Sequence, residues 1–194
     1  VPTNLPGFVV SKKLDKLGMR SSDTAELFFD NLRVPVANLI GEEGEGFIYQ
    51  MQQFQHERFF TLPLAYIGMR NTIEMTMEYL RKRIVNGKPL LAKQVLKHRL
   101  VQWLTEAEAL KQLTYHIVRM KEAGQDASKE ISMGKLLAGQ LSGKVTDGCL
   151  QMFGGAGFMN EMRISRDFRD SRLTAIGGGA NEVMSDVIGK LEGM

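Results

Sequence analysis

A single cysteine, Cys149, excludes an internal disulfide framework and suits a reducing compartment. Its own expected role is that of a buried, small apolar residue. The three histidines, His56, His98 and His116, lie far apart, and with one thiol they make no metal-binding set. No run of about 18 apolar residues is present to cross a membrane, and the opening residues do not form a signal peptide, so a soluble, intracellular protein is expected. Long runs of one charge sign are lacking too. With 25 basic and 22 acidic residues and a net charge of +3, neither nucleic acid nor an anionic membrane is indicated as a partner. Internal repeats, low-complexity segments and a nucleophile elbow are all missing.

What is present is an ordinary globular composition, 43% hydrophobic and 24% charged, with material for a sizeable core. Residues 1–43 differ in kind from the rest. The short apolar runs Phe8-Val9-Val10 and Leu27-Phe28-Phe29 stand between turn residues, and Arg33-Val34-Pro35 closes the second, which reads as β-structure. Two or three strands cannot bury both faces, so they are expected to complete a sheet whose other strands lie before Val1 or in another chain. The chain opens at Val1 rather than at an initiator Met, which adds to the expectation of an upstream part. The stretch from Gly41 to Gly46 reads as a linker whose glycines and acidic residues also suit a helix start.

Residues 44–194 read as helices. The first is expected from about Gly46 to Arg83, with Pro63 inside it and a kink there, because proline cannot donate to the carbonyl of Phe59. A turn follows at Asn86-Gly87-Lys88-Pro89. A second helix runs to about Ala123 with Leu100, Leu104, Ala107, Leu110 and Thr114 on one face, and Gly124-Gln125-Asp126 ends it. The third spans about Ser128 to Phe153, where Gly134, Ala138, Gly139, Ser142 and Gly143 allow another helix to approach closely. A short piece around Ile164 to Arg172 and a last helix to about Leu191 complete a helical bundle behind a partial β-domain.

Within the first helix, Phe47, Met51, Phe54 and Arg58 recur at three- and four-residue steps, so the stripe is expected to carry Glu57 and Arg58 toward the interior. An equally simple reading makes the pair a solvated one. The glycines of Gly154-Gly155-Ala156-Gly157 and Ile176-Gly177-Gly178-Gly179 show neither dinucleotide-fingerprint spacing nor the Lys-Ser/Thr of a P-loop. Either they end helices, or their bare backbone admits a phosphate or a ring.

Taken together, several motifs in order resemble the acyl-CoA dehydrogenase family. Lys16-Leu17-Gly18-Met19-Arg20-Ser21-Ser22-Asp23-Thr24 with Arg33-Val34-Pro35 is similar to the second half of its middle β-domain. Its C-terminal antiparallel four-helix bundle is matched by Arg83-Ile84-Val85-Asn86-Gly87 with Gln94, by Gln151 to Phe158, by Phe168-Arg169-Asp170 and by Ile176 to Val183. The resemblance implies a mainly α fold, a β portion at residues 1–43 and the bundle at residues 44–194. It also implies flavin-dependent α,β-dehydrogenation of an acyl-CoA thioester, in which a carboxylate takes the α-proton and FAD accepts the β-hydrogen as hydride.

In many members the base is the Glu of a Tyr-Glu-Gly-Thr motif, and the matching position here is Gly178. In the long-chain and isovaleryl-type branches the carboxylate precedes an Arg on the long helix, which is Glu57 here. The resemblance therefore makes Glu57 the base, with Arg58, Gly178 and Gly179 facing substrate. It makes Arg83, Gln94, Gln151, Gly154 and Gly155 contacts to the FAD of a neighbouring subunit, and Ala180 and Glu182 contacts to the subunit's own. Asn86 and Ala180 depart from the aromatic residue and the Thr usual at their positions. An acyl-CoA substrate, an electron-transferring flavoprotein as electron acceptor, and a homodimer or homotetramer are the implied partners, the small-residue face of the third helix adding to the case for a dimer. The implied compartment is the cytoplasm in a bacterium or the mitochondrial matrix in a eukaryote. An acyl-CoA oxidase using O2 and a non-catalytic assembly protein of the same fold are the alternatives. Because many ring contacts in the family come from the first half of the β-domain, residues 1–194 alone are expected to bind FAD weakly or not at all; stoichiometric flavin retained through gel filtration would overturn this.

Overall fold

The computed structural model describes all 194 residues, which fall into two compact units, residues 1–53 and 54–194. In the first unit, β1 (Phe8–Lys13) pairs antiparallel with β2 (Ala25–Phe29), and the register shifts between Val10 and Lys12. Phe8 and Phe29 meet edge to face, with ring centroids 5.5 Å apart. Val10, Phe28 and Phe29 remain more than half exposed, since a lone hairpin has no second layer to cover it.

A helix, α1 (Gly46–Lys82), begins in this unit and continues without interruption through Pro63 into the second. Its buried face starts at Leu62 and continues through Ala65, Met69, Ile73, Thr76 and Leu80, at helical spacing. Phe47 and Met51 stay exposed and Phe54 is half-buried. The stripe read from Phe47 to Arg58 is therefore not an interior stripe in this chain; the α1 core is built one to two turns later.

At the end of α1 the chain makes a two-residue hairpin of β3 (Ile84–Val85) and β4 (Lys88–Pro89). Asn86 at φ 51° and Gly87 at φ 73° give the turn whose twist suits a tight hairpin. Lys88 and Pro89, read from sequence as turn residues, belong to a strand instead.

Two further long helices, α2 (Gln94–Glu122) and α3 (Ser128–Phe153), build the bundle. Leu100, Trp103, Ala107, Leu110, Thr114 and Ile117 are buried on α2, which adds Trp103 and Ile117 to the face read from sequence, while Leu104 is half-buried. Trp103 meets α3 at Gly148 and Ile117 meets it at Gly134, so α2 and α3 are antiparallel. Leu62 lies against Gly134 and Tyr79 against Phe153, so α1 and α3 run parallel. The fourth leg is divided into α4 (Arg163–Ser171) and α5 (Asn181–Leu191). It returns along α3, with Ser171 Oγ 2.9 Å from Thr146 Oγ1, Asn181 beside Gly139, and Lys129 Nζ 3.2 Å from Glu192.

α3 is the central element, and its small residues serve neighbours within the chain. A Cβ on Gly134 would overlap Leu62, one on Gly139 would overlap Asn181, and one on Gly148 would overlap the Trp103 ring. Ala138 and Ser142 are buried as well. The sequence reading that set this face aside for a second copy is corrected: only Gly143 looks onto open space.

This packing predicts opposite outcomes at two glycines of one helix. Gly148→Ala forces the rigid, 5% exposed Trp103 ring to move and should destabilise by about 1–3 kcal/mol. Gly143→Ala meets nothing and should stabilise by up to about 1 kcal/mol through helix propensity; urea unfolding of both variants checks the pair. Cys149 is fully buried, and burial pushes its thiol up to about 11 against a smaller lowering by the Thr76 hydroxyl. Ellman's reagent at pH 8 should therefore titrate native Cys149 roughly a hundredfold or more slower than the thiol in urea.

Candidate active site

The break in the fourth leg is the feature on which the site is built. Between Ala175 and Asn181 the chain crosses Gly177, Gly178 and Gly179, and α5 starts immediately afterwards. Gly178 has φ 68° and Gly179 has φ 115°, conformations that strain any residue with a Cβ. Two cations hold this turn by its carbonyl oxygens. Arg58 Nε donates to the Gly178 carbonyl at 2.9 Å, and Lys135 Nζ donates to the carbonyls of Thr174 at 2.7 Å and Gly179 at 3.1 Å.

Since a trans peptide points its N–H opposite to its C=O, these bonds turn the N–H groups of Gly179 and Ala180 away from the cations. The N–H groups of Gly178, Gly179 and Ala180 find no acceptor within the chain. They lie at the positive end of α5, so the turn offers unpaired donors, those of Gly179 and Ala180 directed away from the cations, to an oxygen carrying negative charge.

Arg58 is half-buried and its guanidinium lies 5.8 Å from the Phe54 ring. Burial lowers its tendency to hold a proton, and the charge of adjacent Glu57 opposes that effect. Glu57 itself is exposed in this chain, contrary to the interior placement read from its stripe. The structure thus brings Arg58, Gly178 and Gly179 together, with Glu57 one residue from the bond that ties α1 to the turn.

Beside the turn is a cavity of about 290 Å³, lined by Ala180, Asn181, Glu182, Gly139 and Ser171 among others. Asn181 Oδ1 is buried there without a hydrogen-bond partner, and it fits only because residue 139 has no Cβ. Ala180 makes no side-chain cap for α5, so the helix start is left open. Sequence reasoning did not give Lys135 or Asn181 a role. The available signal was a lone lysine between Ile131, Gly134 and Ala138 on a face that is otherwise small and apolar.

The remaining candidates lie elsewhere. Arg83 follows α1, Gln94 opens α2, and Gln151, Gly154 and Gly155 end α3; all five are exposed. They belong to the opposite end of the bundle, where Tyr79 stacks on Phe153 with centroids 4.1 Å apart and donates to its carbonyl at 3.3 Å. Arg58 and Arg83 are 25 positions apart along α1 and the residue that follows it, roughly 37 Å at 1.5 Å per residue. One chain does not gather both groups around one ligand. Gly154, at φ 58°, and Gly155 have nothing within 4 Å of a notional Cβ, so their backbone is open to a diphosphate, and the exposed Arg83 fork suits the same group. Asn86, in place of an aromatic residue, is explained locally, because its left-handed conformation favours asparagine.

The model of the acyl-CoA dehydrogenase C-terminal domain matches residues 44–191. An acyl-CoA dehydrogenase of Bacillus subtilis is 36% identical over 190 residues, covering 98% of this chain and 50% of the relative. The mitochondrial long-chain specific acyl-CoA dehydrogenase of Rattus norvegicus is 35% identical, covering 98% of this chain and 44% of its own length. Among solved structures, acyl-CoA dehydrogenase from Geobacillus kaustophilus superposes with a TM-score of 0.96 at 34% identity, over 100% of this chain and 51% of that one. The chain spans about half the length of the curated relatives it matches. No helix is long and apolar enough to cross a membrane. With the bundle, the glycine break and these matches in agreement, the chain belongs to the acyl-CoA dehydrogenase family and carries its C-terminal helical domain.

Proposed function

We propose that the protein containing this chain catalyses α,β-dehydrogenation of an acyl-CoA thioester, with Glu57 as general base and FAD as cofactor. The observation that carries this reading is the bond from Arg58 to the Gly178 carbonyl. It ties the helix bearing a carboxylate to a turn that lacks one and that presents its N–H groups instead. A glycine at 178 cannot take a proton, and Glu57 is the carboxylate adjoining that bond. FAD, when bound, supplies the hydride acceptor.

Glu57 takes the α-proton of the acyl group, and the N–H groups of the turn stabilise the charge that develops on the thioester oxygen. Arg58 and Gly179 face the substrate. Ala180 and Glu182, on the cavity beside the turn, face the flavin of the same subunit. Arg83, Gln94, Gln151, Gly154 and Gly155 hold the diphosphate and adenosine side in a neighbouring subunit, a reading supported by their separation from the turn. The protein is accordingly a homodimer or homotetramer, with an electron-transferring flavoprotein as electron acceptor and a cytoplasmic or mitochondrial-matrix location according to its source. The β portion is assigned to residues 1–43 and the bundle to residues 44–194.

Glu57→Gln keeps the shape of the side chain and removes its basicity. In the flavin-loaded protein it should slow flavin reduction by at least about a hundredfold with FAD still bound, the lower range for a positioned general base. Adding Gly178→Glu should restore part of the rate. A Cβ at 178 would lie 3.7 Å from Lys135 Cε and 4.0 Å from Arg58 Cγ, so the site has room despite the strained φ. Anaerobic stopped-flow absorbance checks both variants, and reduction of Glu57→Gln at the wild-type rate by the best acyl-CoA would remove Glu57 as the base.

A further inference from the structure

Lys135 is the one lysine with no exposed surface, and no ion pair involves it. A lysine stem of this length normally carries its ammonium to water. Here α3 delivers it inward between Gly134 and Ala138, and the ammonium spends two of its donors on Thr174 and Gly179. Thr174 precedes the glycine turn and Gly179 is its last glycine, and the Arg58 bond falls on the carbonyl immediately before that of Gly179. Three carbonyls are thus drawn toward two positive charges, and the N–H groups of Gly179 and Ala180 are left facing the other way.

Burial makes Lys135 a poorer holder of its proton, and the nearby Arg58 charge acts in the same sense. Keeping two like charges beside one turn is costly unless negative charge gathers close by when the site works. An apolar residue of the same volume would fill the space without that cost but would leave the Thr174 and Gly179 carbonyls without their donor. The ammonium is therefore there to hold those carbonyls, not to fill space.

Resting on the dehydrogenase reading above, we infer that Lys135 is a positioning residue for the reaction. By holding the Gly179 carbonyl it fixes the Gly179–Ala180 peptide plane, so that with Arg58 on the Gly178 carbonyl the N–H groups of Gly179 and Ala180 meet the thioester oxygen, and it adds a buried positive charge behind them. It touches neither substrate nor proton; it acts through the turn. Preorganised donors of this kind stabilise the developing charge without reorganisation at the moment of reaction.

The test uses the intact, flavin-loaded protein and a panel of straight and branched acyl-CoA thioesters labelled with 13C at the thioester carbon. Lys135→Met keeps the volume and removes donors and charge. Its limiting rate of flavin reduction should fall about tenfold or more, toward the loss seen when an oxyanion donor is removed, while the acyl-CoA Kd stays within about twofold. The downward shift of the thioester carbonyl stretch on binding, read by infrared difference spectroscopy, should shrink in parallel. Lys135→Arg, which keeps charge and donors, should recover part of both, and dithionite should reduce the flavin of every variant alike. A Lys135→Met protein with wild-type rate and wild-type carbonyl shift overturns the role of Lys135 and leaves the dehydrogenase reading standing. A wild-type flavin reduced by no thioester of the panel overturns both. If Lys135→Met loses its flavin, Lys135→Gln is read on the same axes, and wild-type behaviour overturns the role equally.

Discussion

The bundle depends on how closely its neighbours can approach α3. Helix axes pack about 8–10 Å apart according to the side chains between them, and α3 presents hydrogen atoms at the three places where another element crosses it. Gly134 receives Leu62 from α1, Gly148 receives Trp103 from α2, and Gly139 receives Asn181 at the start of α5. Each crossing fixes one leg of the fold. The apolar core, from Leu62 and Ile73 through Leu110 and Ile117 to Val145 and Cys149, fills the space that these approaches define.

That close approach also sets the site. Because Asn181 can settle against Gly139, α5 begins where it does, and the preceding residues must cross a short gap with backbone that only glycine adopts comfortably. Such a turn would be loose if its carbonyls faced solvent. Arg58 and Lys135 tie it from two different helices, so rigidity at 178–180 is borrowed from the bundle rather than supplied by the turn. Charge-assisted hydrogen bonds are the stronger kind, and they offset part of the cost of removing these cations from water.

The length of α1 gives the chain two separate working ends. Arg58 lies near one and Arg83 follows the other, and the helix between them is anchored by Met69, Ile73 and Leu80 in the core. A stiff element of this kind keeps the glycine turn and the open Gly154–Gly155 backbone in a constant relation, which a looped connection would not do. The same rigidity keeps one chain from bringing both ends to a single ligand.

Local order was largely legible from the residues. The limits of α3 are those read from its periodicity and its flanking breakers, Gly124-Gln125-Asp126 and Gly154-Gly155, and α1 ends one residue before the reading. The family, the mainly α fold and the glycine clusters followed from motifs whose meaning lies in contiguous residues. Burial of the Phe47–Arg58 stripe did not follow, because periodicity describes a face but not what covers it. The second strand of the small hairpin was missed because Lys88 and Pro89 have turn-like composition, and only pairing with Ile84 and Val85 makes them a strand. Lys135 was beyond reach for a stronger reason. Its bonds join residues 39 and 44 positions apart, and that of Arg58 joins residues 120 apart. Composition and spacing determined which segments are helices and where glycine must break them; the tertiary structure decided which cation meets which carbonyl, since a hydrogen bond is set by distance in space and the chain carries no local record of it.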